Sequence, residues 1–149
     1  MPKYKAKSGY LRNDTDKRVF SSKAEAYYYL YLCDELEKGN IAKFRYEKRR
    51  FKFTSSRLTY LCDFEVWMRD GSYKVIELKG KMSSRDRRLK KLLRKEYATT
   101  DIRYVFTNSI AFRNIFDKYR YIVEANFVEH DKTKRRKGDL LKVIRGKRK

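Results

Sequence analysis

Between Tyr60 and Gly80, Asp63, Glu65, Glu77 and Lys79 are the side chains whose types and spacing could act together. Carboxylates and an ammonium gathered on one face stabilise a sheet poorly, because like charges repel and a desolvated carboxylate needs a partner. A hard divalent cation resolves that conflict. Magnesium is held by one or two carboxylates with waters and phosphate oxygens, and it can activate water while neutralising charge on a scissile phosphate. Lys79 would orient the attacking water or stabilise the phosphorane. The competing reading is an exposed hairpin whose Glu and Lys pair at the surface, which contributes little.

The element that must position them is a β-hairpin. Asp70-Gly71 lies between β-branched and aromatic runs, a strong turn signal. Side chains alternate along each arm, so Cys62, Phe64, Val66 and Met68 share one face, matched by Ile76 and Leu78. Keeping these apolar faces together predicts Phe64 opposite Leu78, Val66 opposite Ile76, and Asp63 opposite Lys79 with Glu77 diagonal. The loop is then three or five residues long, with Gly71 at positive φ.

A second carboxylate source precedes the hairpin. Ser21-Ser22-Lys-Ala-Glu25 opens a helix to about Lys38, stopped by Gly39-Asn40. Glu25 fits a capping box with Ser22, yet it also shares a stripe with Tyr28, Tyr29, Leu32 and Leu36. An inward carboxylate at a helix start is a candidate for the metal site. Ile41 to Phe53 reads as extended, with Phe44 and Tyr46 on one parity and Phe51 and Phe53 on the other. The break at Glu47-Lys48-Arg49-Arg50 predicts a bulge, or a strand that leaves one sheet and enters another.

Charge narrows the partners. The 149 residues carry a net charge of +21, with Lys or Arg in every quarter of the chain. That excess exceeds what solubility requires and points to a polyanion, most simply nucleic acid. No apolar run is long enough to span a bilayer and no signal-peptide core is visible, so the expectation is an intracellular protein with no membrane partner. Cys33 and Cys62 are isolated and read as free, buried thiols, and the lone His130 cannot build a zinc site. Carboxylates remain as the metal ligands, and there is no glycine-rich loop for a small-molecule cofactor.

Beyond Gly80, Ser83 or Ser84 caps a helix to about Tyr97, with Leu89, Leu92 and Leu93 as its apolar stripe. Its other positions are basic. Lys81, Arg85, Arg87, Arg88 and Lys91, with Arg49 and Arg50 from the earlier break, are the candidate phosphate contacts. Asp101 to Phe106 is a further strand, and strand, helix, strand at this length implies a crossover with parallel pairing to the Glu77 strand. Ser109 starts a short helix through Phe116, followed by an extended piece near Tyr121 to Val123. The fold class is α/β, a mixed central sheet flanked by helices. Residues 1–19 read as a flexible basic arm, 20–130 as the folded domain and 131–149 as a basic tail.

Phe20 to Glu25, Tyr60 to Asp63, Glu77-Leu78-Lys79-Gly80 and Asp101 to Phe106 together resemble the PD-(D/E)xK nucleases. More narrowly, they resemble the junction-resolving endonuclease I group of T-odd phages. The resemblance spans about Phe20 to Asn108 and departs at Cys62, which stands where the motif has proline. It implies a restriction-endonuclease-like core and a homodimer that exchanges elements near Phe44 to Phe53. The implied active site is Glu25, Asp63, Glu77 and Lys79, with the Leu78 carbonyl as a further ligand for Mg2+ or Mn2+. The implied activity is hydrolytic resolution of four-way (Holliday) and branched DNA, in the host cytoplasm if the chain is phage-encoded. Two other functions fit the residues: a repair or transposon-end nuclease of the same superfamily, and a non-catalytic basic nucleic-acid-binding protein.

Overall fold

The computed structural model describes residues 8–14 and 18–129. In chain order the elements are β1 (Gly9–Leu11), β2 (Val19–Phe20), α1 (Lys23–Glu37), β3 (Ile41–Tyr46), β4 (Arg50–Lys52) and β5 (Thr59–Leu61). They continue with β6 (Phe64–Met68), β7 (Tyr73–Lys79), α2 (Ser84–Glu96), β8 (Asp101–Phe106), α3 (Ile110–Asn126) and β9 (Phe127–Glu129). The central sheet is mixed, in the order β3-β6-β7-β8. β3, β6 and β7 pair antiparallel, and β8 adds parallel to β7 after the α2 crossover, with Glu77 level with Tyr104.

Both sheet faces are covered, because alternate residues of β7 enter two separate cores. Ile76 and Leu78 join Phe64, Val66 and the buried residues of α1 and α3. Val75 joins Phe51, Tyr60, Cys62, Leu89 and Leu93 under α2. Each helix begins on a serine cap: Ser22, Ser83 and Ser109 accept from the amides of Glu25, Asp86 and Phe112. Such caps contribute about 1 kcal/mol each.

The hairpin loop has three residues, Arg69-Asp70-Gly71, with Gly71 at φ +89° and the Asp70 carboxylate accepting from Ser72 N at 2.9 Å. Its register differs from the expected one by two residues. Phe64 lies opposite Ile76, not Leu78, and Val66 opposite Lys74, not Ile76. The Met68 amide donates to the Ser72 carbonyl at 2.8 Å, so pairing starts one residue earlier than the apolar match required. A shift of two preserves side-chain parity, which is why the wrong pairs still predicted the right faces.

Cys62 is a correction of face. It lies in the core beneath α2, opposite Phe64 and Val66, because the strand is interrupted at Cys62-Asp63 between β5 and β6. Cys33 and Cys62 are both free, but only Cys62 is fully buried. The long strand expected from Ile41 to Phe53 does split between sheets, as β3 beside β6 and β4 beside β5. Leu36 departs from the predicted inward stripe and is 43% exposed.

Two further expectations are corrected. Residues 9–11 and 19, read as part of an arm, form β1 and, with Phe20, β2, and β1 pairs with both β2 and β9. Their anchors are Leu11 and Phe20, whose burial no local periodicity announced. The extended piece near Tyr121 to Val123 is instead helical, since α3 runs on to Asn126 with Tyr119 and Val123 four apart on its buried side. The basic tail, 131–149, and His130 lie outside the described residues. No helix among the described residues is long and apolar enough to cross a membrane.

Candidate metal-binding active site

Asp63 reaches the site because the chain is not a strand where Asp63 sits. Two backbone bonds stitch this break to the β3–β4 turn: Glu47 N donates to Asp63 O at 2.8 Å and Cys62 N to Arg49 O at 3.1 Å. Glu47 takes φ +47°, a left-handed conformation uncommon outside glycine and asparagine. The Asp63 carboxylate then accepts from the Leu78 amide at 2.8 Å, which fixes it against the end of β7. Glu77 approaches Asp63 from the same strand, close enough for the two carboxyls to share a proton.

Glu25 enters from α1 and is only 6% exposed. It replaces the reciprocal half of a capping box with side-chain bonds, accepting from Ser22 Oγ at 3.0 Å and from Tyr46 Oη at 3.0 Å. One carboxylate oxygen each from Glu25, Glu47 and Asp63 lie within 4.8 Å of one another. Glu65, by contrast, does not join the group. It is buried two residues along from Asp63, opposite Val75, where Arg45 donates to it at 3.1 Å and Tyr73 at 2.8 Å.

Lys79 is held by a partner that sequence reasoning missed. Its Nζ lies 2.8 Å from Asp86 Oδ1, and Asp86 also completes the Ser83 capping box of α2. Burial alone would lower the Lys79 pKa, but the Asp86 hydrogen bond and the charges of Glu77, Asp86 and Asp63 outweigh it and raise it. Lys79 is therefore a fixed cation at neutral pH.

The carboxylates behave oppositely. Burial, then the neighbouring Glu77, pushes Asp63 up to about 9. Burial, then Asp63 and Glu47, pushes Glu25 up to about 8. Glu77 is also raised, chiefly by burial. Tyr60 is driven far above the ordinary phenol range by burial and by Glu77, and among the described residues its buried hydroxyl lacks a partner at hydrogen-bonding geometry. These acids hold protons where a cation would otherwise sit.

The donor set fits a hard cation. It is all oxygen, it is crowded beyond what protein cations neutralise, and Lys79 is already engaged by Asp86. Glu25, Asp63, Glu77, Lys79 and Leu78 all line one cavity, so the structure brings the five predicted positions together. The additions are Asp86, in the same cavity, and Glu47, which lines a neighbouring one but brings a carboxylate oxygen close to Glu25 and Asp63. The parity break at Glu47 was visible in sequence but gave no sign that its carboxylate turns inward. Asp86 was legible only as the fourth residue of a capping box.

The predicted phosphate contacts scatter more widely. Lys81 is exposed at the mouth of the cavity, and Arg85 is exposed beside Thr59, donating to its carbonyl at 3.3 Å. Arg87, Arg88 and Lys91 lie on the outer side of α2, and Arg50 is exposed with Thr59 Oγ1 at 3.1 Å. Arg49 is half-buried and committed internally, donating to Tyr73 Oη at 3.0 Å and lying 4.2 Å over the Phe51 ring.

Comparison with known proteins gives one family. The family described as Protein of unknown function (DUF1064) matches residues 1–114, and the chain belongs to it. Neither the curated proteins nor the solved structures contain a match.

Proposed function

We propose that this DUF1064 member is a metal-dependent DNA endonuclease that hydrolyses phosphodiester bonds, with branched and four-way junctions as its preferred substrates. The observation that carries the reading is the convergence of Glu25, Asp63, Glu77 and Lys79 on one cavity of a strongly basic chain. The resemblance to PD-(D/E)xK nucleases supports the same assignment, including a restriction-endonuclease-like core and a homodimer. Asp63 and Glu77, with Glu25 and the Leu78 carbonyl, would hold Mg2+ or Mn2+. When bound, the ion supplies Lewis acidity toward the scissile phosphate and an acidified water.

The chain's own groups do the rest. Leu78 N–H fixes one Asp63 oxygen, which holds the carboxylate beside Glu77 in the cavity wall. Ser22 and Tyr46 hold Glu25 by both oxygens, so its carboxylate is positioned before any ligand arrives. Lys79, anchored by Asp86, points a fixed positive charge at the place where negative charge develops on phosphate.

The test is cleavage of a synthetic four-way junction against a matched linear duplex, in Mg2+ or Mn2+ and in EDTA. The expected result is junction cutting that EDTA abolishes. Lys79→Ala should bind the junction but cut it about 10² to 10³ times more slowly, the loss typical of one preorganised electrostatic group. No cutting of either DNA by the wild type with either metal would end the nuclease reading. Wild-type rates from Lys79→Ala would end the assigned mechanism, and equal cutting of duplex and junction would end the junction preference.

A further inference from the structure

The carboxylates form a waist between two cavities, with Asp63, Glu77, Lys79 and Asp86 in the wall of both. The larger, about 780 Å³, opens past Lys81 toward Arg113 in the first turn of α3, over Phe112 and Phe116. The smaller, about 250 Å³, lies on the α2 side and is bounded by Arg85, Thr59 and Tyr104. Cations therefore flank the acidic waist on both sides. Among the described residues, neither Lys81 nor Arg113 has a carboxylate partner.

Plus, minus, plus across two cavities that share these walls suits a chain of phosphates better than a single small anion. Flanking phosphates would meet Lys and Arg by charge-assisted hydrogen bonds, while the central one sits over acids that must be neutralised, by a cation or by protons, to tolerate it. The apolar floor at Phe112 and Phe116 would take sugar or base surface. Arg87, Arg88 and Lys91, the most conspicuous cations in the sequence of α2, line neither cavity.

We infer that one DNA strand threads this waist, with a phosphate on Lys81 and Arg113 to one side and a phosphate on Arg85 to the other. The outer face of α2 is then not the seat of that strand. Calling the central phosphate scissile rests on the nuclease reading; the path of the strand does not.

Fluorescence anisotropy with labelled four-way junction and duplex, in EDTA, measures binding apart from cutting. The groove variants are Lys81→Glu with Arg113→Glu, and Arg85→Gln. The comparator, Arg87→Glu with Arg88→Glu, makes the same charge change as the first pair outside the groove. The groove pair should weaken binding by about tenfold or more near 0.1 M salt, and the slope of log affinity against log salt should flatten by about one for each phosphate no longer neutralised. The comparator should lose clearly less, and Arg85→Gln should show its own smaller loss. Lys81 and Arg113 are both exposed, so the fold should hold; Lys81→Ala with Arg113→Ala carries the test if the reversals do not fold. Equal losses from groove pair and comparator, or wild-type affinity in the groove pair, would overturn the strand path. A wild type that cuts no DNA but shows the groove-selective loss removes the nuclease reading and keeps the path. A wild type that cuts with no groove-selective loss does the reverse.

Discussion

Asp63 keeps a proton that an exposed aspartate would surrender well below neutral pH. Its pKa rises from 3.8 to about 9, first through burial and then through Glu77. The folded state therefore binds more protons than the unfolded state across that interval, and stability falls as pH rises. The contribution is full below about pH 4 and is lost progressively toward about pH 9. In EDTA, the melting temperature of the wild type should drop more steeply from acid to mildly alkaline pH than that of Asp63→Asn. Asparagine keeps an acceptor for Leu78 N–H but has no proton to lose, so the comparison isolates the charge. Added Mg2+ should flatten the wild-type curve at the alkaline end, because a bound cation replaces the protons. Parallel curves for the two proteins in EDTA would show that Asp63 is not desolvated as described.

At the scale of elements, what could be read beforehand was whatever local periodicity and capping determine. α1, α2 and β8 lie within a residue or so of their expected bounds, since serine caps and the Gly39 stop are local signals. The parallel β7–β8 pairing followed from the length of the crossover. What failed was set by tertiary partners. The β6–β7 register depended on where the turn closed, Cys62 changed face at a break in the strand, and β1 became a strand because β2 and β9 pair with it on either side. The same limit applied to the site: Asp63 and Glu77 were legible as acids on a hairpin, while the break at Glu47 was visible but its left-handed turn was not announced by any glycine or asparagine. That turn can be tested. Glu47→Gln removes the charge and keeps the left-handed backbone at φ +47°, whereas Glu47→Gly also removes the Cβ that resists it. Relief of left-handed strain is about 1–2 kcal/mol and glycine's entropy cost about 0.5–1 kcal/mol, so the glycine variant should be the more stable by up to about 1.5 kcal/mol. Denaturant titration of the two variants measures the difference. A glycine variant less stable than the glutamine one would mean that the turn is not strained.

For the whole molecule, the net charge of +21 makes two opposite demands on salt. Without DNA, cations crowded on a small domain repel one another, and this self-repulsion destabilises the compact state. Screening relieves it, because the Debye length shrinks from about 10 Å at 0.1 M to about 3 Å at 1 M. The melting temperature of the free protein should therefore rise as sodium chloride is added. With saturating DNA at low salt, the phosphates do the neutralising and mass action adds stability that grows with ligand concentration. Salt then removes the ligand by opposing counterion release, so the melting temperature of the complex should fall toward that of the free protein. The two curves, measured by differential scanning fluorimetry over one salt series, should converge from opposite directions. Curves that rise together would show that the stabilising anion is not displaced by salt, and the charge would then need a reason other than a phosphate backbone. A free protein indifferent to salt would place the excess cations too far apart to feel one another, leaving the groove at the carboxylates as the remaining electrostatic feature that could choose a strand.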